Sequence, residues 1–202
     1  MIISRTKLAF IIFGIAAILI AVQSSWIATM TSNQQSADPR IEKGFAIAPV
    51  SLNLQGRDRD LVGLGSYLVN AVGACNDCHT CPPYAPGHNP YKGGDGQINA
   101  ANYLAGGTRF TFRVISRDLT PDPQSGKPAD LDLDEFLHLM RSGEDPDMEH
   151  PHLGPDLKIM PWPIFRNMTD QDLRAIYEYL SAIPHAEPGS CGLAGLELGP
   201  DQ

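Results

Sequence analysis

Cys75-Asn76-Asp77-Cys78-His79 decides the reading of this chain. The spacing is C-x-x-C-H, the pattern of covalent haem attachment. One helical turn holds two thiols at the separation needed to add to the two vinyl groups of a haem. The next residue, His79, then lies under the iron as proximal ligand. Cys75, Cys78, His79 and Cys81 also offer four nitrogen and sulfur donors to zinc. Four donors within seven residues close a tetrahedron poorly, so the spacing points to haem.

Downstream, Met160-Pro161 lies in a loop ahead of the final helical segment. Proline fixes the local backbone, and a methionine held in front of it suits a distal thioether ligand. Met160 is therefore the expected sixth ligand, with Met148, His150, His152 and Met168 as the other choices. A site closed on both sides of the iron carries electrons rather than turning over substrate.

The 202 residues allow one domain with appendages. Glycine and proline make up about 18% of the chain, against about 12% on average. Long ordered loops around a cofactor-filled core explain that excess. The chain carries a net charge of −8, which excludes the basic footprint of a nucleic-acid binder.

Arg5 and Lys7 precede an uncharged run from Leu8 to Ala37. Leu8–Val22 alone would rise about 22 Å as a helix, short of the hydrocarbon core of about 30 Å. Leu8–Met30 would rise about 34 Å, with Trp26 near its far end as an interfacial anchor. An uncleaved N-terminal hydrophobic helix in the inner membrane is expected, with a signal peptide cut near Val22-Gln23-Ser24 as the alternative. Both readings put the rest of the chain outside that membrane. Residues 31–56 read as linker, polar over Thr31–Arg40 and loop or a short helix over Ile41–Gln55. From residue 38 onward there are 13 basic and 23 acidic side chains, a net −10. Such an acidic domain implies a basic or dipolar partner surface, or ordinary solubility.

Asp58 to Ala74 has helical spacing over Leu61, Leu64, Leu68, Ala71 and Val72, with Gly63 and Gly65 set for a close helix crossing. Thr80–Ala105 is loop, whose Tyr84, Tyr91 and Tyr103 could wall the haem; His88 is expected at the surface. Phe110, Phe112 and Val114 alternate in a short extended piece, with Arg109 and Arg113 as contacts for haem propionates. Arg117 to Asp122 reads as a turn. A helix follows to Ser142, capped by Asp132 or Asp134 and stopped by Gly143. Thr169 with Asp172 forms a capping box for the last helix, whose Leu173, Ile176, Tyr177 and Leu180 stripe should cross near Gly65. Cys81 and Cys191 remain once haem has taken two thiols. In an oxidising compartment they are expected to pair, with two free thiols or intermolecular pairing as alternatives.

This order of helix, C-x-x-C-H, long loops, methionine and terminal helix resembles a class I cytochrome c. The likeness is greatest to the cytochrome subunits of periplasmic alcohol, aldehyde and sugar-acid dehydrogenases. It rests on Gly65-Ser66-Tyr67-Leu68, Cys75–His79, Leu119-Thr120-Pro121-Asp122, Asp134-Glu135-Phe136, Met160-Pro161 and Met168-Thr169-Asp170, within residues 57–184. Those subunits often have three haem motifs, and this chain has one. The resemblance implies a mainly α fold around one haem c, with His79 and Met160 as axial ligands. It implies redox proteins as partners: a dehydrogenase or other donor, and the respiratory chain. The division expected is 1–30 anchor or signal, 31–56 linker, 57–185 cytochrome c domain and 186–202 tail. A haem enzyme such as a peroxidase, or a structural or sensor subunit, is the alternative function.

Overall fold

The computed structural model describes residues 38–145 and 157–191. The N-terminal segment 8–30, and with it the anchor, lies outside the described residues. Among the described residues the fold is mainly helical, with no sheet and only isolated bridges such as Arg109 with Ile115. No described helix is long and apolar enough to cross a membrane.

Helix α1 (Pro39–Ile47) starts on Asp38, whose side chain accepts from the Arg40 amide. It falls inside the stretch read as linker, and the folded unit begins at Asp38 rather than Arg57. The apolar pattern is weak because few side chains make the contact, chiefly Ile41 and Phe45, beside the bare backbone of Gly44. A Cβ on Gly44 would overlap the Gly63 carbonyl, and only Ile41 and Gly44 are buried. Ser66 Oγ donates to Gly44 O at 2.7 Å and locks the crossing.

Helix α2 (Arg59–Tyr67) is capped by Asp58 and runs into a π-turn, Leu68–Val72. The Gly73 amide donates to Leu68 O, five residues back, at 2.7 Å. This wider turn inserts a residue and rotates the buried face by roughly a quarter turn. Val69 is therefore fully buried, as Val62 is in the α-helical part, while Ala71 and Val72, expected on the core face, are exposed. On its other side α2 meets α6 (Asp170–Ala182). A Cβ on Gly65 would overlap the Ala175 carbonyl, so only glycine permits this approach.

Helix α4 (Leu133–Ser142) has the full capping box of Asp132 and Glu135 and ends on Gly143 at φ 77°. Phe136, Leu139 and Met140 are its buried residues. The short α5 (Trp162–Phe165) leads into α6, which starts on the expected Thr169–Asp172 box. Arg141 ties α4 to this junction by donating to Met168 O at 2.6 Å and pairing with Asp170 at 2.6 Å. Leu173, Ile176 and Leu180 are buried against the core as their spacing implies.

The long loop after residue 79 is ordered by hydrogen bonds, not by regular structure. Leu104 N donates to Thr80 Oγ1 at 2.9 Å, and Tyr103 OH donates to Asn70 Oδ1 at 2.5 Å. Tyr103 and Tyr179 hydroxyls lie 3.0 Å apart beside Asn70, a satisfied polar knot between loop, α2 and α6.

Candidate functional site

Helix α3 (Cys75–His79) is a single turn, entered through Ala74 at φ 50°. Cys75 and Cys78 stand at i and i+3, so both thiols share one face. The carbonyl of His79 accepts from the Gly106 amide at 2.7 Å, which ties the end of this turn to the next segment.

These three side chains open into one cavity of about 420 Å³. Its lining is predominantly apolar: Val69, Leu131, Phe136 and Met140 contribute, with Ile176 and Leu180 from α6. Met160 lines the same cavity, as does Met168. Met148, His150 and His152 lie outside the described residues.

His79 Nδ1 is 2.8 Å from Arg117 O. A carbonyl only accepts, so Nδ1 carries the proton and Nε2 keeps its lone pair for a ligand. Burial pushes the His79 pKa below its ordinary value, and the bond to Arg117 O opposes that shift. Burial favours the neutral imidazole, and the bond to Arg117 O orients it towards the cavity. Burial pushes the Cys75 thiol up to about 12, with the neighbouring Cys78 adding to it. Cys75 lines the cavity. A thiol held protonated this way is a poor thiolate donor to a metal.

Cys81 is disulfide-bonded to Cys191, with Cα atoms 5.7 Å apart. The four-donor zinc set is thereby dismantled. No cluster of three or more His, Cys, Asp or Glu side chains suited to a metal ion exists among the described residues. The bridge also holds the tail: Asn102 Nδ2 donates to Glu187 O at 2.9 Å. Residues 186–191 are thus fastened to the loop beside the site.

Arg109 and Arg113, named above for propionates, are exposed and are not part of the cavity lining. They sit on a hairpin-like turn, in which Phe110 N donates to Val114 O at 2.9 Å. Phe110 and Val114 line the cavity, while Phe112 at the tip is 90% exposed. The tyrosines are also placed differently. Tyr91 is exposed, Tyr103 is buried in the polar knot, and none of Tyr84, Tyr91 and Tyr103 lines the cavity. His88 is half-buried and pairs with Asp95 at 2.7 Å.

The residue that sequence reasoning missed is Arg117. Its carbonyl orients His79, and its guanidinium pairs with Asp145 at 3.1 Å, both side chains largely buried at the cavity wall. One signal was present. Asp118 Oδ1 accepts from the Thr120 amide at 2.7 Å, an Asx turn that fixes the backbone just after Arg117.

Cys75, Cys78, His79 and Met160 are thus the residues that could hold a cofactor here, two through covalent bonds and two as donors. No protein-family model matches the chain, and no curated protein matches it.

Proposed function

We propose that this chain is a monohaem c-type cytochrome of class I type, an electron carrier rather than a substrate-converting enzyme. One observation carries the reading: two thiols and an imidazole on a single turn share an apolar cavity with Met160. The cavity volume of about 420 Å³ falls in the cofactor-site range of roughly 300–1,000 Å³.

Cys75 and Cys78 would hold haem c through two thioethers, and His79 Nε2 and the Met160 sulfur would bind its iron. When bound, haem supplies an iron that gains and loses one electron. The chain's own groups set the conditions for that exchange. Arg117 O orients His79 and holds a proton on Nδ1. The apolar lining excludes water and favours the less charged oxidation state, which raises the potential. Methionine as second axial ligand acts in the same direction and leaves no position open for a substrate.

The reading puts the haem domain outside the inner membrane, anchored through residues 8–30. It passes electrons from a dehydrogenase or other donor towards the respiratory chain. The uncharged run from Leu8 to Ala37 supports the anchor, and the Cys81–Cys191 bridge supports an oxidising compartment.

The test is intact mass after expression in a host that matures c-type cytochromes. The expected result is a mass increase of one haem that survives denaturation and disappears when Cys75 and Cys78 are both replaced by alanine. A mature protein without covalent haem would overturn the proposal.

A further inference from the structure

Two segments that contribute to the cavity lining, beside Asp77 and Asp145 from elsewhere, carry a charge opposite to that of the rest of the domain. Residues 96–117 and 157–169 together contain Arg109, Arg113, Arg117, Lys158 and Arg166 and no acid. The remainder of residues 38–202 holds all 23 acidic side chains and only eight basic ones. Arg117 is turned to Asp145. Arg109 and Arg113 are exposed, and among the described residues no carboxylate pairs with either. Between them, at the tip of the turn, Phe112 is 90% exposed. On the second segment Ile159 and Ile164 are also exposed, and Ile159 and Pro161 line the cavity. The single acid facing the mouth from α3 is Asp77, which accepts from Tyr84 OH at 3.4 Å.

A phenylalanine left in water costs hydrophobic free energy. Two arginines around it, with no carboxylate partner among the described residues, give that ring an electrostatic frame on an otherwise acidic domain. Apolar anchors inside a charged rim are how docking surfaces divide anchoring from steering.

We propose that the Arg109–Phe112–Arg113 turn docks an acidic redox protein whose carboxylates ring an apolar depression. The two arginines steer and orient the partner, and Phe112 enters the depression. The partner then sits over the mouth lined by Phe110, Val114 and Ile159. The overall charge of the domain suggests a basic partner, and this local arrangement reverses that expectation. An anionic lipid surface fits less well, because the acidic remainder of the domain is repelled by it. The inference rests on the electron-carrier reading only in taking the partner to be a redox protein.

The test uses the full chain in detergent micelles and an acidic flavodoxin as probe, with binding followed by a change in flavin fluorescence. Wild type should bind, more weakly as salt rises. Replacing both arginines (Arg109→Glu, Arg113→Glu) should weaken binding about tenfold or more and flatten the salt dependence. Phe112→Ala should weaken it about fivefold with the salt dependence kept. Circular dichroism checks that each variant is folded. No binding by wild type, or equal binding by all three proteins, would overturn the assignment. Tighter binding of lysozyme, a basic control, would do the same. Quenching of Phe112→Trp by brominated phosphatidylglycerol beyond the wild-type level would make lipid the occupant and overturn it also. Covalent haem is assayed on the same preparation by its alkaline pyridine spectrum. A chain that docks flavodoxin through these residues yet lacks haem refutes the electron-carrier reading and leaves the docking surface standing.

Discussion

His79 Nδ1 donates to the backbone carbonyl of Arg117 at 2.8 Å, across 38 positions of sequence. The bond comes from main chain, so no substitution at Arg117 other than a distortion of the turn removes it. It fixes the face that His79 offers to the cavity, and on the proposed reading a methionine would be the second donor.

Met160 and Met168 both line the cavity, so the ligand assignment can be tested by contrast. Met160→Ala should abolish the far-red methionine–iron charge-transfer band of the oxidised protein and keep the haem covalently bound. Met168→Ala should retain the band. The opposite pattern would move the ligand to Met168.

Gly65 is the tightest point between α2 and α6. Its missing Cβ would overlap Ala175 O and press on the Tyr179 Cβ at 2.7 Å. Backbone cannot yield there as a flexible side chain would. Gly65→Ala should therefore cost about 1–3 kcal/mol, the usual penalty of overpacking. A denaturation midpoint equal to wild type would show that the two helices separate without cost.

Signals that act within a few residues were legible in the sequence. The Thr169–Asp172 box is legible as such and starts its helix, and Asp132, one of the two caps the sequence offers, starts the other, with Glu135 closing a box beyond that expectation. The Gly65 crossing was legible because a costly glycine inside an apolar pattern needs a reason. Helix α1 was legible only as loop or a short helix, since only Ile41 and Phe45 mark its docking on Gly63 and the close approach at Gly44 is made by backbone, which hydropathy does not record. The π-turn at Leu68–Val72 was hidden for a related reason: one inserted residue leaves composition unchanged and moves the buried face. At the site, the four ligand-type residues announced themselves by chemistry. Arg117 contributes a carbonyl, which every residue has, and only the fold selects it.

The Cys81–Cys191 bridge closes a loop of 110 residues, and the tail it holds packs against the segment that follows the Cys75–His79 turn. In the chain-entropy account such a loop stabilises by about 4–5 kcal/mol. Cys191→Ser should lower the denaturation midpoint accordingly. Alkylating the unreduced, denatured wild type should label neither Cys81 nor Cys191, and two labels would remove the idea. Far-red absorption should survive in the variant, because neither cysteine lines the cavity.

Asp118 gives a pH dependence with a definite sign. Burial raises its pKa above the usual carboxylate value, partly offset by the two bonds it accepts from Thr120. The charged form is thus disfavoured in the folded protein relative to the unfolded chain. Its contribution to stability is complete below the unfolded pKa of about 3.9 and is lost as pH rises through the higher folded value. Asp118→Asn keeps the acceptor oxygen for the Thr120 amide and hydroxyl but cannot ionise. The variant should match wild type at acid pH and become the more stable of the two as pH climbs towards neutrality. Urea midpoints measured from pH 3.5 to 7 check this, and a wild type that gains on the variant over that range would show that the charge is stabilised in place.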